Sequence, residues 1–178
     1  MKDTFRIGDT IQIDMSFSDR LTDLNGGVEN TFSNFDFQLK IASDRFDIDP
    51  PESKAVEVMD VFPTVGQVIA RSLPSSGVSY YEVLPVYRDN YYVFKCAMVL
   101  KQEGSFTFNL SPYTDDMIAP FKVKGNCDDL PLRIISKVND GDPVKNNYHL
   151  LKSSPVPPYR DMTLERFGQS GFCFIVKS

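Results

Sequence analysis

The chain has no tryptophan and a single histidine, His149, among its 178 residues. One histidine excludes a metal site built on two histidines and any relay between a pair of them. Its neighbours Tyr148 and Leu150 predict local packing for it. No apolar run approaches the roughly 20 residues that a helix needs to cross a bilayer. The stretch behind Met1 has no apolar segment of the secretory-signal kind. Basic clusters are missing too: 19 Lys and Arg against 24 Asp and Glu give a net charge of -5, a field that attracts no phosphate backbone and argues against nucleic acid as a partner.

Catalytic motifs are equally scarce. Gly168-Gln169-Ser170-Gly171 lacks the spacing of a nucleophile elbow and precedes a strand, so it predicts a turn. Asp23-Leu24-Asn25-Gly26 and Asp140-Gly141-Asp142 lack the run of alternating oxygen ligands, ending in glutamate, that a calcium loop requires. The pairs Asp115-Asp116 and Asp128-Asp129 are adjacent, which on a strand sends their side chains to opposite faces. These patterns predict a non-enzymatic protein with no cofactor and no metal. There is no internal repeat.

What the sequence has is apolar alternation. Hydrophobic residues at 42% and charged residues at 24% are proportions that fold, and the length fits one domain over 1–178. Fourteen Phe and eight Tyr suit pleated surfaces better than helices. Ile11, Ile13, Met15 and Phe17 alternate with polar residues and predict a half-buried strand, as do Phe35, Phe37, Leu39 and Ile41. Phe46 and Ile48 predict a short strand stopped by Pro50-Pro51. The stretch from Glu52 to Phe62 fits either a strand or a short helix.

Tyr92, Phe94, Cys96, Met98 and Leu100 share one face of a long strand. Gln102-Glu103-Gly104 predicts a hairpin from it into Phe106, Phe108 and Leu110. Residues 78–87, turning at Arg88-Asp89-Asn90, complete an expected three-stranded meander. Leu132 and Ile134 predict a further strand, closed by the turn cluster 139–143, and Phe172, Phe174 and Val176 predict the last one. Residues 153–159, with three prolines, predict an extended edge or crossing rather than a domain linker. Short helices are expected only near Asp161 to Phe167 and Asn146 to Leu151.

Strands that each bury one face predict an all-β, antiparallel, immunoglobulin-like β-sandwich with one or two short helices. Among Tyr80, Tyr81, Tyr91, Tyr92 and Tyr113, Tyr91 points outward beside a turn and is the candidate ligand-binding residue; cross-strand packing is the favoured reading of the group as a whole.

Three segments, Phe5-Arg6-Ile7-Gly8-Asp9-Thr10-Ile11, Phe35-Asp36-Phe37 and Asn146-Asn147-Tyr148-His149-Leu150-Leu151, resemble the Bacteroidetes cell-envelope lipoproteins of uncharacterised function. The resemblance implies a signal and lipidated cysteine just upstream of Lys2, and a place in the periplasm or on the outer-membrane surface, with the membrane reached only through that anchor. It also implies partners such as glycans or other envelope proteins, and brings no catalytic residues with it. An adhesin or fimbria-like structural subunit is the alternative, and an envelope hydrolase a third.

Three cysteines permit at most one internal disulfide. Cys96 with Cys127 is the favoured pair, because Cys127 lies in a polar loop; three reduced thiols is the alternative. Cys173, between Phe172 and Phe174, is expected as a buried free thiol. Far-ultraviolet circular dichroism is expected to show a β-dominated spectrum with under about 15% helix; a third of the chain in helix would contradict the sandwich.

Overall fold

Apolar alternation decides where the chain extends. The structure, a computed structural model, describes residues 2–22, 27–112, 121–122, 129–130, 138–167 and 171–178. Its strands are β1 (Thr4–Arg6), β2 (Thr10–Ser18), β3 (Arg20–Thr22), β4 (Glu29–Thr31), β5 (Leu39–Arg45), β6 (Glu52–Ser53), β7 (Met59–Val65) and β8 (Gln67–Leu73), followed by β9 (Val78–Leu84), β10 (Val86–Arg88), β11 (Tyr91–Leu100), β12 (Gly104–Pro112), β13 (Phe121–Lys122), β14 (Asp129–Leu130) and β15 (Gly171–Lys177). Among the described residues helix is limited to α1 (Ala55–Val58), α2 (Pro157–Arg160) and α3 (Leu164–Phe167), with 3-10 turns at Val138–Gly141 and Tyr148–Ser153. The fold is all-β.

The strands form two main sheets. The large one has the order β1-β15-β12-β5-β9-β8, with β6 added to β5; in the small one β11 is flanked by β2 on one edge and by β10 and β7 on the other. Ile41, Val83, Phe106, Phe108, Phe172 and Phe174 from the large sheet, and Met59, Phe94, Cys96, Met98 and Leu100 from the small one, belong to a single buried cluster. The two apolar faces therefore share one core, in a sandwich-like arrangement. Full burial of each such side chain contributes about 1.5–3 kcal/mol.

β2 shows the alternation in its simplest form, with Ile11, Ile13 and Met15 half-buried and Thr10, Gln12, Asp14 and Ser16 exposed. Behind the large sheet a second cluster of Phe46, Leu150, Leu151, Phe167 and Cys173 packs the helical segments onto β15, so Cys173 is buried as well as Phe172 and Phe174. A third cluster, of Phe32, Phe37 and Tyr92 with Phe17, Phe35 and Tyr87 against it, fills one end of the sandwich.

Several sequence expectations are corrected. The pairing is not wholly antiparallel, because β1 runs parallel to β15; the two come from opposite ends of the chain, and everything between them serves as the crossover that parallel pairing needs. The expected hairpin from β11 into β12 does not form. β11 is already paired along both edges, so β12 enters the other sheet and pairs with β5 and β15.

The meander is likewise split. β10 turns into β11 through Asp89 and Asn90, both with positive φ, as a tight hairpin requires, whereas β9 belongs to the large sheet and Pro85 lies at the switch. The strand predicted from Phe35 starts only at Leu39. Asn34 takes φ 53 and the Phe35 N–H donates to the Tyr92 hydroxyl at 2.5 Å, which folds this segment over the aromatic end cluster.

The strand predicted through Phe46 and Ile48 stops at Arg45, because the Phe46 side chain leaves for the second cluster. Residues 157–160 form a helical turn rather than an extended edge, with Pro157 and Pro158 in its first turn, where a missing N–H costs nothing. The strand expected at Leu132 and Ile134 lies outside the described residues.

Gly66 makes the corner by which the chain passes from β7 in one sheet to β8 in the other. Its φ is +91, and a Cβ there would lie 2.7 Å from the Leu84 carbonyl oxygen and 2.9 Å from the Phe94 ring. In denaturant unfolding, Phe94→Ala is expected to cost about 3–5 kcal/mol, and Phe62→Ser, on an exposed position of β7, less than about 0.5 kcal/mol. Equal losses would contradict the inward and outward assignment of these strands.

Candidate functional site

The outer faces of the two sheets differ in what covers them. The large sheet's is capped near β15 by the helical segments and carries charge farther along, with Arg71 on Glu82 at 2.6 Å and Lys40 over the Tyr80 ring. The small sheet's outer face has no such cap among the described residues.

Strand register defines that face rung by rung. Tyr91 lies between Arg88 and Ser18, Val93 between Val86 and Ser16, Lys95 between Val65 and Asp14, Ala97 between Phe62 and Gln12, and Val99 between Asp60 and Thr10. On the β10 and β7 side of β11 lie exposed apolar residues, with Phe62 55% exposed and Val86 41%, and Tyr91 at the β11 turn is 50% exposed, while Val93 beside Val86 is buried. On the β2 side Lys95 pairs with Asp14 at 2.7 Å, and Lys101 meets Asp60 at 2.8 Å at one end. Flat, aromatic and aliphatic with polar margins, the surface can stack on an apolar face and offer hydrogen bonds at its rim; it holds no nucleophile paired with a base.

The inward side fixes this surface. Tyr92, between the outward Tyr91 and Val93, donates its hydroxyl to the Phe32 carbonyl and accepts from the Phe35 N–H, and burial raises its pKa. Buried Asp19 accepts from Ser33 at 2.9 Å and from Tyr87 at 2.8 Å, while its N–H bonds the Asn90 carbonyl at 2.9 Å. These bonds hold the β10–β11 turn and thus the position of Tyr91.

Tyr91 is therefore outward, as its place beside the turn predicts. Tyr80, Tyr81 and Tyr92 are buried, and Tyr113 lies outside the described residues. The sequence reading missed Phe62 and Val86. A signal for Phe62 was present, since Val61 continues the inward face of Met59 and Pro63 marks an edge or bulge, which leaves Phe62 to solvent.

His149 corrects the expected local packing: its side chain is 64% exposed, with Nε2 3.7 Å from an Asp3 carboxylate oxygen. Its backbone sits in a 3-10 turn whose buried residues are Leu150 and Leu151. Asp142 behaves as the turn chemistry predicts, accepting from the N–H groups of Val144 and Lys145 at 2.9 and 3.2 Å. The carboxylate pair Asp115-Asp116 and the loop 23–26 lie outside the described residues.

Among the described residues no group of three or more His, Cys, Asp or Glu is placed to hold a metal ion, and no helix is long and apolar enough to cross a membrane. Concavities among the described residues include the following two. An open depression of about 530 Å³ at the chain ends is lined by Lys2, Phe5 and Asp9, with Lys2 bonded to Asp9 at 2.7 Å and holding its carboxyl below the ordinary range. A smaller one of about 120 Å³ lies beside Asp44, Thr107 and Tyr159, whose hydroxyl burial pushes up. Neither brings catalytic groups together.

Cys96 and Cys173 are buried free thiols. Cys127, the expected partner of Cys96, lies outside the described residues, so no bridge between them is described. No family model matches the chain, and no curated protein and no solved structure matches it.

Burial pushes the Cys96 thiol from about 9 up to about 12, and burial, aided by Asp60 and Glu57, pushes Tyr81 from 10 up to about 12. The folded state thus favours both neutral forms. The stability linked to them is whole below about pH 9 and is lost as pH rises through 12. Two measurements check this: Cys96 and Cys173 are expected to resist alkylation at neutral pH until the protein is unfolded, and the denaturation midpoint is expected to fall between pH 9 and 12. Rapid labelling of either thiol in the native protein would contradict their burial.

Proposed function

We propose that this chain is a non-enzymatic binding or scaffolding domain of the cell envelope, an immunoglobulin-like β-sandwich that docks a glycan or another envelope protein on the outer face of its small sheet. The observation that carries the reading is the exposure of Phe62, Val86 and Tyr91 on a sheet face that nothing covers among the described residues. Exposed aromatic and aliphatic side chains on a rigid, flat surface are common at recognition sites. The immunoglobulin-like part is supported by two facing, mainly antiparallel sheets. The envelope location is supported by the resemblance of the segments 5–11, 35–37 and 146–151 to envelope lipoproteins.

A second reading, an adhesin or fimbria-like subunit, is favoured by the long edge of β2 that pairs with nothing among the described residues; strand addition to such an edge is a recurrent mode of assembly.

Two experiments test the first reading. Expressed from its full gene, the protein is expected in the envelope fraction and to incorporate radiolabelled palmitate at a cysteine upstream of Lys2; a soluble, unlabelled cytoplasmic product would refute the location. On a glycan array and in pull-downs from envelope extracts, Tyr91→Ala and Phe62→Ser are each expected to weaken binding about tenfold with an unchanged unfolding midpoint. Unaltered binding by both variants would remove this face from the function.

A further inference from the structure

Most free edges of the two main sheets carry a device that discourages pairing with another chain. β1 and β10 are three residues long. β7 contains Pro63 and a register shift opposite Lys95 and Cys96. β8 carries Arg71. β2 is different: its nine residues hold an unbroken register with β11 from Thr10 to Ser18, contain no proline, and bear one charge, Asp14, already paired with Lys95. Among the described residues β2 pairs with β11 alone.

Two backbone bonds bracket the strand and fix which groups face the open edge. The Leu100 N–H donates to the Asp9 carbonyl at 3.1 Å, and the Asp19 N–H to the Asn90 carbonyl at 2.9 Å. Between them the antiparallel alternation assigns Ile11, Ile13, Met15 and Phe17 to the bonds with β11. It turns the N–H and C=O groups of Thr10, Gln12, Asp14 and Ser16 outward.

We propose that this edge receives a second copy of the chain, β2 against β2 in antiparallel orientation about a two-fold axis at Ile13. The strand is self-complementary in that register. Each Asp14 faces Gln12 of the other copy, an amide donor opposite a carboxylate. Ile11 faces Met15 on the core side, and Thr10 faces Ser16 on the outer side. Centring on Asp14 instead would set two carboxylates directly opposite, which destabilises. The outward groups of all four residues then pair, about eight ladder bonds in total, and the interface is isologous and closes at two copies. The small sheets join into one continuous sheet, leaving Phe62 and Val86 on the far side of β11 uncovered.

Sedimentation of the purified full chain over a concentration series, with amide exchange followed by NMR, tests this. The expected result is a monomer–dimer equilibrium in which the N–H groups of Gln12, Asp14 and Ser16 gain protection as concentration rises. Gln12→Pro removes one outward donor while leaving the β11 bonds intact, a change an edge position tolerates, and is expected to raise the dissociation constant about tenfold or more. Phe62→Ser is expected to leave that constant unchanged, which separates this interface from the binding face. A monomer at every concentration overturns the proposal, as does a dimer without protection at those three amides. Open polymers that lengthen with concentration also overturn it, and favour donated-strand assembly. Should Gln12→Pro not fold, the amide protection of the unmodified chain decides.

Discussion

The inward row of β11 is the constraint on which the rest of the molecule depends. Tyr92, Phe94, Cys96, Met98 and Leu100 are almost wholly buried, and four of them lie in the core that the large sheet closes from the opposite side. A strand committed on one face, and paired along both edges, leaves its neighbours little choice. The chain that follows it must move to the other sheet, and the chain that precedes it can pair only over the short length of β10. Gly66 and Pro85 stand at two of the resulting crossings.

Because that inward face is so strongly apolar, the outward face is fixed by parity alone. A one-residue slip would bring Lys95 into the core and expel Phe94. Tyr91 is anchored a second time at the turn, through Asp19 and Asn90. Strand pairing and the aromatic end cluster together order the backbone frame of this surface.

The long strands were legible where alternation is uninterrupted, as in β2, β11 and β15. Phe35 and Phe37 alternate as well as any strand, yet they fold onto Tyr92 because a local aromatic cluster and a left-handed Asn34 outweigh sheet pairing. The turn at Gln102-Glu103-Gly104 was recognisable as a break, but no local feature says to which sheet the chain then goes; that depends on occupied edges far away in sequence. Of the candidate site, Tyr91 was legible from its turn. Val86 was not, because β10 is only three residues long and shows no alternation to read. The pairing of the first and last strands had no sequence signature at all.

That pairing has a mechanical consequence. β1 and β15 are parallel, Thr4 beside Ile175 and Arg6 beside Lys177, so the chain enters at one end of the pair and leaves at the other. Tension applied through the two ends of this chain runs along the strands and loads their hydrogen bonds together, in shear. A hairpin pulled from its open end would instead lose its bonds one at a time. The three-residue strand that looks least important in the sheet is therefore a clasp, loaded in shear before the elements enclosed between the two strands.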